Sequence, residues 1–297
     1  MPDPEQIQFR AGELTLAGEL LLPTPAREPS VRRQIPWALL LPSWLPRDRD
    51  GAFDDGRHPT WFGRGPMAPT RPGLLLRLAR ALAERGVASF RYDPRGCGSS
   101  EGDWPSSDLF SRIDDARDAL GAMRSRGELD LSRTGIVGHG EGATIALSVA
   151  IADPAVGALT LIGSPARSLR DLLRRGAATR ARIGTDRSHP VVRALDHRSE
   201  ELVERTDRRE EELPLRLRSV SLVHGTADAW SHPDEARLMQ AALQEAGDQP
   251  ELRRVSGAGH DLAEAPDEEI MAIANDLAGR LVARPLPAVL LAIQEMG

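Results

Sequence analysis

One stretch, Gly138-His139-Gly140-Glu141-Gly142, constrains this chain more than any other. An apolar run from Thr134 to Val137 leads into it and a run of helical spacing from Ala143 to Ile151 leads out, so it reads as strand, sharp turn and helix. In a turn of this kind the central residue is lifted above the sheet, and a serine placed there becomes a nucleophile. The central residue is Gly140. The frame for a nucleophile is present, and the side chain is not.

Around this turn the chain alternates short apolar runs with helical periods. Gln6 to Phe9 and Leu14 to Leu22 read as an antiparallel edge hairpin, and Trp37 to Leu41 as a buried parallel strand. A helix from Leu74 to Arg85 ends at Gly86, followed by a strand from Val87 to Tyr92 and a helix from Asp108 to Arg124. Beyond the turn come a strand at Ala158 to Ile162, a strand at Ser219 to Val223, a helix at Glu235 to Ala246, a strand at Glu251 to Val255 and a helix at Glu268 to Val282. Such alternation predicts an α/β chain with a doubly wound, mostly parallel sheet.

The alternation stops between residues 164 and 213, where Leu169, Leu172, Leu173 and Ala177 keep helical spacing. This stretch is expected to be a helical cap inserted into a core made of residues 1–163 and 214–297. Between 167 and 198 nine arginines face three aspartates, Asp171, Asp186 and Asp196. They read either as solvated helix faces or as a basic lid over an anionic or carrier-linked substrate. Residues 23–36 and 52–72 read as irregular loops, and Pro285 to Met296 as a short terminal helix.

Charge and cysteine content narrow the classes. A net charge of −6 argues against nonspecific nucleic-acid binding, and no run reaches the roughly 18 apolar residues of a membrane span. The first nine residues lack a basic segment followed by an apolar one, so a cytoplasmic protein is expected. The single cysteine, Cys97, forms no internal disulfide. All 38 basic residues are arginine, which reads as the codon bias of a GC-rich genome.

Chemistry concentrates at the predicted carboxyl ends of core strands, where open α/β sheets hold their ligands. Gly140, Asp228 and His260 each follow a predicted strand, in the chain order nucleophile, acid, histidine. The loop after the strand at 37–41 reads Pro42-Ser43-Trp44-Leu45-Pro46, and the turn after Tyr92 reads Asp93-Pro94-Arg95-Gly96-Cys97-Gly98-Ser99-Ser100-Glu101-Gly102. Trp44, Trp61, Trp104 and Trp230 fall in loops on the same side. Trp61, Cys97 and Trp230 are the candidates for lining a substrate pocket, with ordinary packing as the alternative. His58, His139 and His224 lack the spacing of a metal site, and neither metal nor other cofactor is expected.

These motifs resemble the bacterial α/β-hydrolase carboxylesterases that carry G-S-G-P-x-D-R-D-G, Y-D-x-R-G-x-G-x-S-x-G and G-H-S-E-G. Tyr92 to Gly102 fits the second closely, Gly138 to Gly142 fits the third except at Gly140, and Asp228 with His260 supplies the acid and histidine. The resemblance spans essentially the whole chain and implies an α/β-hydrolase fold, an esterase, thioesterase or lactonase ancestry and a small-molecule acyl substrate. It also implies Asp228 orienting His260 and an oxyanion hole built from the Glu141 amide with Ser43 and Trp44. At the first motif the chain departs: Pro42 to Pro46 stands where the family has G-S-G-P, one residue longer.

Three readings stay open. In the first, Gly140 replaces an original serine of an acyl hydrolase, by natural divergence or by engineered inactivation. In the second, His260 backed by Asp228 is a general base that uses no nucleophile, as in cyclisation, proton abstraction or decarboxylation. In the third, the pocket binds a ligand without turnover. Oligomeric state has no sequence signal.

Overall fold

The structure is a computed structural model that describes residues 3–23, 34–43, 46–52, 72–166 and 219–283. Among the described residues eight strands form one sheet: β1 Glu5–Ala11, β2 Leu14–Leu21, β3 Ile35–Leu41, β4 Ala88–Tyr92, β5 Leu129–His139, β6 Val156–Ile162, β7 Val220–Gly225 and β8 Glu251–Val255. Their order is β1-β2-β4-β3-β5-β6-β7-β8. β1 and β2 form the expected antiparallel hairpin at one edge, β2 runs antiparallel to β4, and every remaining pair is parallel. This is the mostly parallel sheet of the sequence reading. β5 begins earlier than the apolar run suggested, because Leu129 pairs with Ile35 before a register shift brings Thr134 beside Trp37.

Among the described residues five helices cover the sheet: α1 Leu74–Glu84, α2 Leu109–Arg124, α3 Glu141–Ala152, α4 Asp234–Glu245 and α5 Asp267–Ala283. β3 shows why its sequence is uninterrupted Trp-Ala-Leu-Leu-Leu. Trp37, Leu39 and Leu41 join the cluster under α2 and α3, while Ala38 and Leu40 join the one under α1 and α5. A strand covered on both faces has no solvent side on which to place polar residues. Each fully buried leucine contributes about 1.5–3 kcal/mol. α2 starts at a capping box in which Asp108 accepts from the Ser111 amide and Ser111 from that of Asp108. Arg77 of α1 donates to the carbonyls of Leu262 and Ala265 and pairs with Asp267, tying α1 to the turn before α5.

After β3 the chain turns to β4 on one side, then crosses back to β5 on the other, so a crevice opens at the carboxyl ends of β3 and β5. Among the described residues no helix is long and apolar enough to cross a membrane. The cap expected at 164–213, except 164–166, lies outside the described residues, as do the terminal helix and most of both predicted loops.

Candidate active site

The parallel register of β3 and β5 sets the site. Leu41 pairs with Gly138, which brings Ser43 and Gly140, each two residues beyond its paired partner, to the same end of adjacent strands. The elbow is as tight as its glycines require. A Cβ at Gly138 would lie 2.6 Å from the Cα of Ala143, and one at Gly142 would lie 2.5 Å from the Leu41 carbonyl oxygen. Gly140 itself, the residue before α3, has φ +56°, in the region where side chains are strained. A Cβ there would fall within the van der Waals sphere of Ser43 Oγ, and 3.0 Å from both Ser43 Cβ and His260 Nε2.

His260, in the loop after β8, donates from Nδ1 to Asp228 Oδ2 at 2.8 Å. A carboxylate only accepts, so Nδ1 carries the proton and Nε2 its lone pair. Nε2 faces Ser43 Oγ at 3.5 Å. Asp228 follows β7 and is itself held: Oδ1 accepts from the amides of Trp230 at 2.8 Å and Ser231 at 2.9 Å, and Oδ2 lies 3.4 Å from His224 Nε2. Burial works against the charge of Asp228, but His260, His224 and the Ser231 amide outweigh it and keep the carboxyl below its usual range. Burial likewise disfavours a charged His260, yet Asp228 and then Asp261 prevail and raise the imidazole above its ordinary value. Such a pair can accept a proton at Nε2 while the Asp228 contact holds the ring's orientation.

Behind the pair lies a network absent from the sequence reading. His139 donates from Nε2 to the His260 carbonyl at 3.0 Å, and the two rings sit 4.6 Å apart. Burial, followed by the field of His260, pushes His139 down to about 3, so it stays neutral. Asp261 pairs with Arg47 at 2.9 Å, and Arg47 also donates to the Gly51 carbonyl. His139, His260 and Asp261 are the one grouping of metal-ligating side chains among the described residues. The Arg47 guanidinium already supplies a positive charge there, which disfavours a cation.

Four arginines engage Ser43 and residues 47–51. Besides Arg47, Arg49 pairs with Asp93 at 2.5 Å and Arg91 with Asp50 at 2.6 Å, while Arg112 of α2 donates to the Ser43 carbonyl at 3.4 Å and pairs with Glu141. The Asp93 turn is therefore a scaffold: Asp93 also accepts from the Ser99 amide, and its carbonyl from the Ser100 hydroxyl. Cys97 is fully buried in that turn, where its amide and carbonyl close the loop. Trp104 lies in a short 3-10 turn against Gly96, buried in the body. Trp230 is half-buried next to Asp228, and Glu141 begins α3. Trp44 and Trp61 lie outside the described residues. Nothing local to Arg47, Arg112 or Asp261 signals these pairings in the sequence, since Asp261 lies 214 residues from Arg47, and Arg112 lies 69 from Ser43 and 29 from Glu141.

Comparison with known proteins agrees with this architecture. The profile of the serine aminopeptidase S33 family matches residues 72–192. No curated protein matches the sequence. Among solved structures, the α/β hydrolase GrgF from Penicillium sp. sh18 is 19% identical with a TM-score of 0.61, covering 95% of this chain and 100% of its own. An esterase of Pyrococcus furiosus is 14% identical with a TM-score of 0.66, over 94% of this chain and 91% of its own. Est1E from Butyrivibrio proteoclasticus, determined with ferulic acid bound, is 15% identical with a TM-score of 0.61, over 94% and 100%. Sheet order, elbow and these likenesses agree: the chain has the α/β-hydrolase fold.

Proposed function

We propose that this protein hydrolyses a small acyl ester or thioester, with His260 as general base and Asp228 holding its tautomer. The observation that carries the reading is the buried imidazole whose Nδ1 is bound to Asp228 while Nε2 faces the elbow. Such a base takes the proton of an attacking hydroxyl or water and returns it to the leaving alcohol or thiol. The Glu141 amide, at the start of α3, is assigned to the developing oxyanion. The arginine-rich stretch at 167–198 supports an anionic or carrier-linked acyl group. Gly140 is read as natural divergence: the Ser43 hydroxyl occupies the space that a residue 140 side chain would enter, whereas a simple truncation would leave that space empty.

The missing side chain at 140 favours a second reading, in which the pair removes a proton without any acyl intermediate. Assay on p-nitrophenyl acetate, p-nitrophenyl butyrate and a short acyl thioester separates the two. Hydrolysis is expected, falling about 100- to 10,000-fold in His260→Ala. Equal rates in parent and variant, or no hydrolysis, would overturn the first reading.

A further inference from the structure

We infer that Ser43 is the nucleophile of this site, supplied by the loop after β3 instead of the elbow after β5; this rests on the acyl-hydrolase reading above. Occupancy is the first ground. The Ser43 hydroxymethyl group fills the volume directly above the bare Gly140 backbone, so a side chain at 140 would have to displace it. Hydrogen-bond direction is the second. With the Nδ1 proton committed to Asp228, Nε2 can only accept, and the hydroxyl that faces it at 3.5 Å is that of Ser43. Ser43, His260 and Asp228 thus form a nucleophile, base and acid in series, at a spacing that tightens when substrate binds. Restraint is the third. Ser43 is 1% exposed, and Arg112 meets its carbonyl at 3.4 Å, which restrains the backbone that carries the hydroxyl.

The reaction balances without a cofactor. Ser43 Oγ bonds to the acyl carbon as its proton passes to His260 Nε2 and the carbonyl electron pair moves to oxygen. Collapse restores the carbonyl and breaks the bond to the alcohol or thiol, which leaves with the proton from Nε2. Water then attacks the Ser43 ester, its proton goes to Nε2 and on to Ser43 Oγ, and the acid is released.

Cleavage after arginine isolates residues 34–47, a peptide in which Ser43 is the sole hydroxyl side chain. The test treats the full chain with an alkyl fluorophosphonate and maps the adduct by mass spectrometry, beside ester hydrolysis by Ser43→Ala. The expected result is an adduct on peptide 34–47, lost in His260→Ala, and at least about a thousandfold loss of hydrolysis in Ser43→Ala. Should Ser43→Ala not fold, Ser43→Cys treated with iodoacetamide replaces it, with alkylation of peptide 34–47 expected to drop at least about tenfold on adding His260→Ala. An adduct on another peptide, or alkylation indifferent to His260, overturns the assignment. Hydrolysis that depends on His260 but survives in Ser43→Ala overturns the assignment while leaving the hydrolase reading intact. An adduct at Ser43 without hydrolysis does the reverse, and absence of both removes the two together.

Discussion

At the scale of single residues, Gly140 and Ser43 are one decision made at two positions. Because a Cβ at 140 overlaps Ser43 Oγ and the backbone there has φ +56°, Gly140→Ser alone meets both crowding and strain. It is expected to lower stability to urea unfolding by about 1–3 kcal/mol, and Ser43→Gly in the same chain should recover most of the loss. Strictly additive effects of the two changes would show that the side chains do not compete for this space. This coupling follows from distance alone and holds whatever the substrate is.

At the scale of elements, α2 does two separable jobs. Its start is closed by the Asp108–Ser111 capping box, and one turn later Arg112 reaches the Ser43 carbonyl and Glu141. Asp108→Ala is expected to cost about 1 kcal/mol of stability and leave kcat unchanged. Arg112→Met removes a buried cation from its partner carboxylate at a cost of about 3 kcal/mol, and it frees the Ser43 loop. It should therefore lower kcat for p-nitrophenyl acetate well below that of Asp108→Ala, with KM nearly constant. Matching kcat values in the two variants would deny Arg112 a positioning role. The Arg-Gly-Cys-Gly turn serves the same purpose from the other side, through Asp93 and Arg49.

The whole molecule responds to pH through its buried histidines. His139 titrates near 3 in the fold and near 6.5 when unfolded, so below about 6.5 the unfolded chain takes a proton that the fold refuses, and stability falls on acidification. Asp228 and Asp261 sit below their ordinary 3.8, so their contribution is complete above that value and is lost on going further down. His260 has the opposite sign: its raised value stabilises the fold below 6.5 and ceases to do so as pH climbs through it. Thermal midpoints should drop between about pH 6.5 and 4, and His139→Asn should flatten that arm. The proposed general-base role needs His260 neutral, so the acid limb of kcat/KM is expected to have its midpoint above 6.5. A midpoint below that value would show that Asp228 does not govern the imidazole.

Much of this was legible from the chain itself. The strand and helix alternation, the antiparallel hairpin at the edge, the elbow and the order Gly140, Asp228, His260 are local patterns or chain order, and periodic burial writes them into the residues. The meeting of Ser43 with Gly140 and His260 is not. Ser43 and His260 are 217 residues apart, and they face each other because β3 lies beside β5 with Leu41 opposite Gly138. Arg47 finds Asp261 across 214 residues for the same reason. Periodicity within a segment records which face is buried but carries no information about which loop will stand opposite. Strand order and register supply that, so the sequence alone pointed to the scaffold and to a histidine and an aspartate after its strands, and tertiary structure alone decided that these two pair and which hydroxyl stands before them.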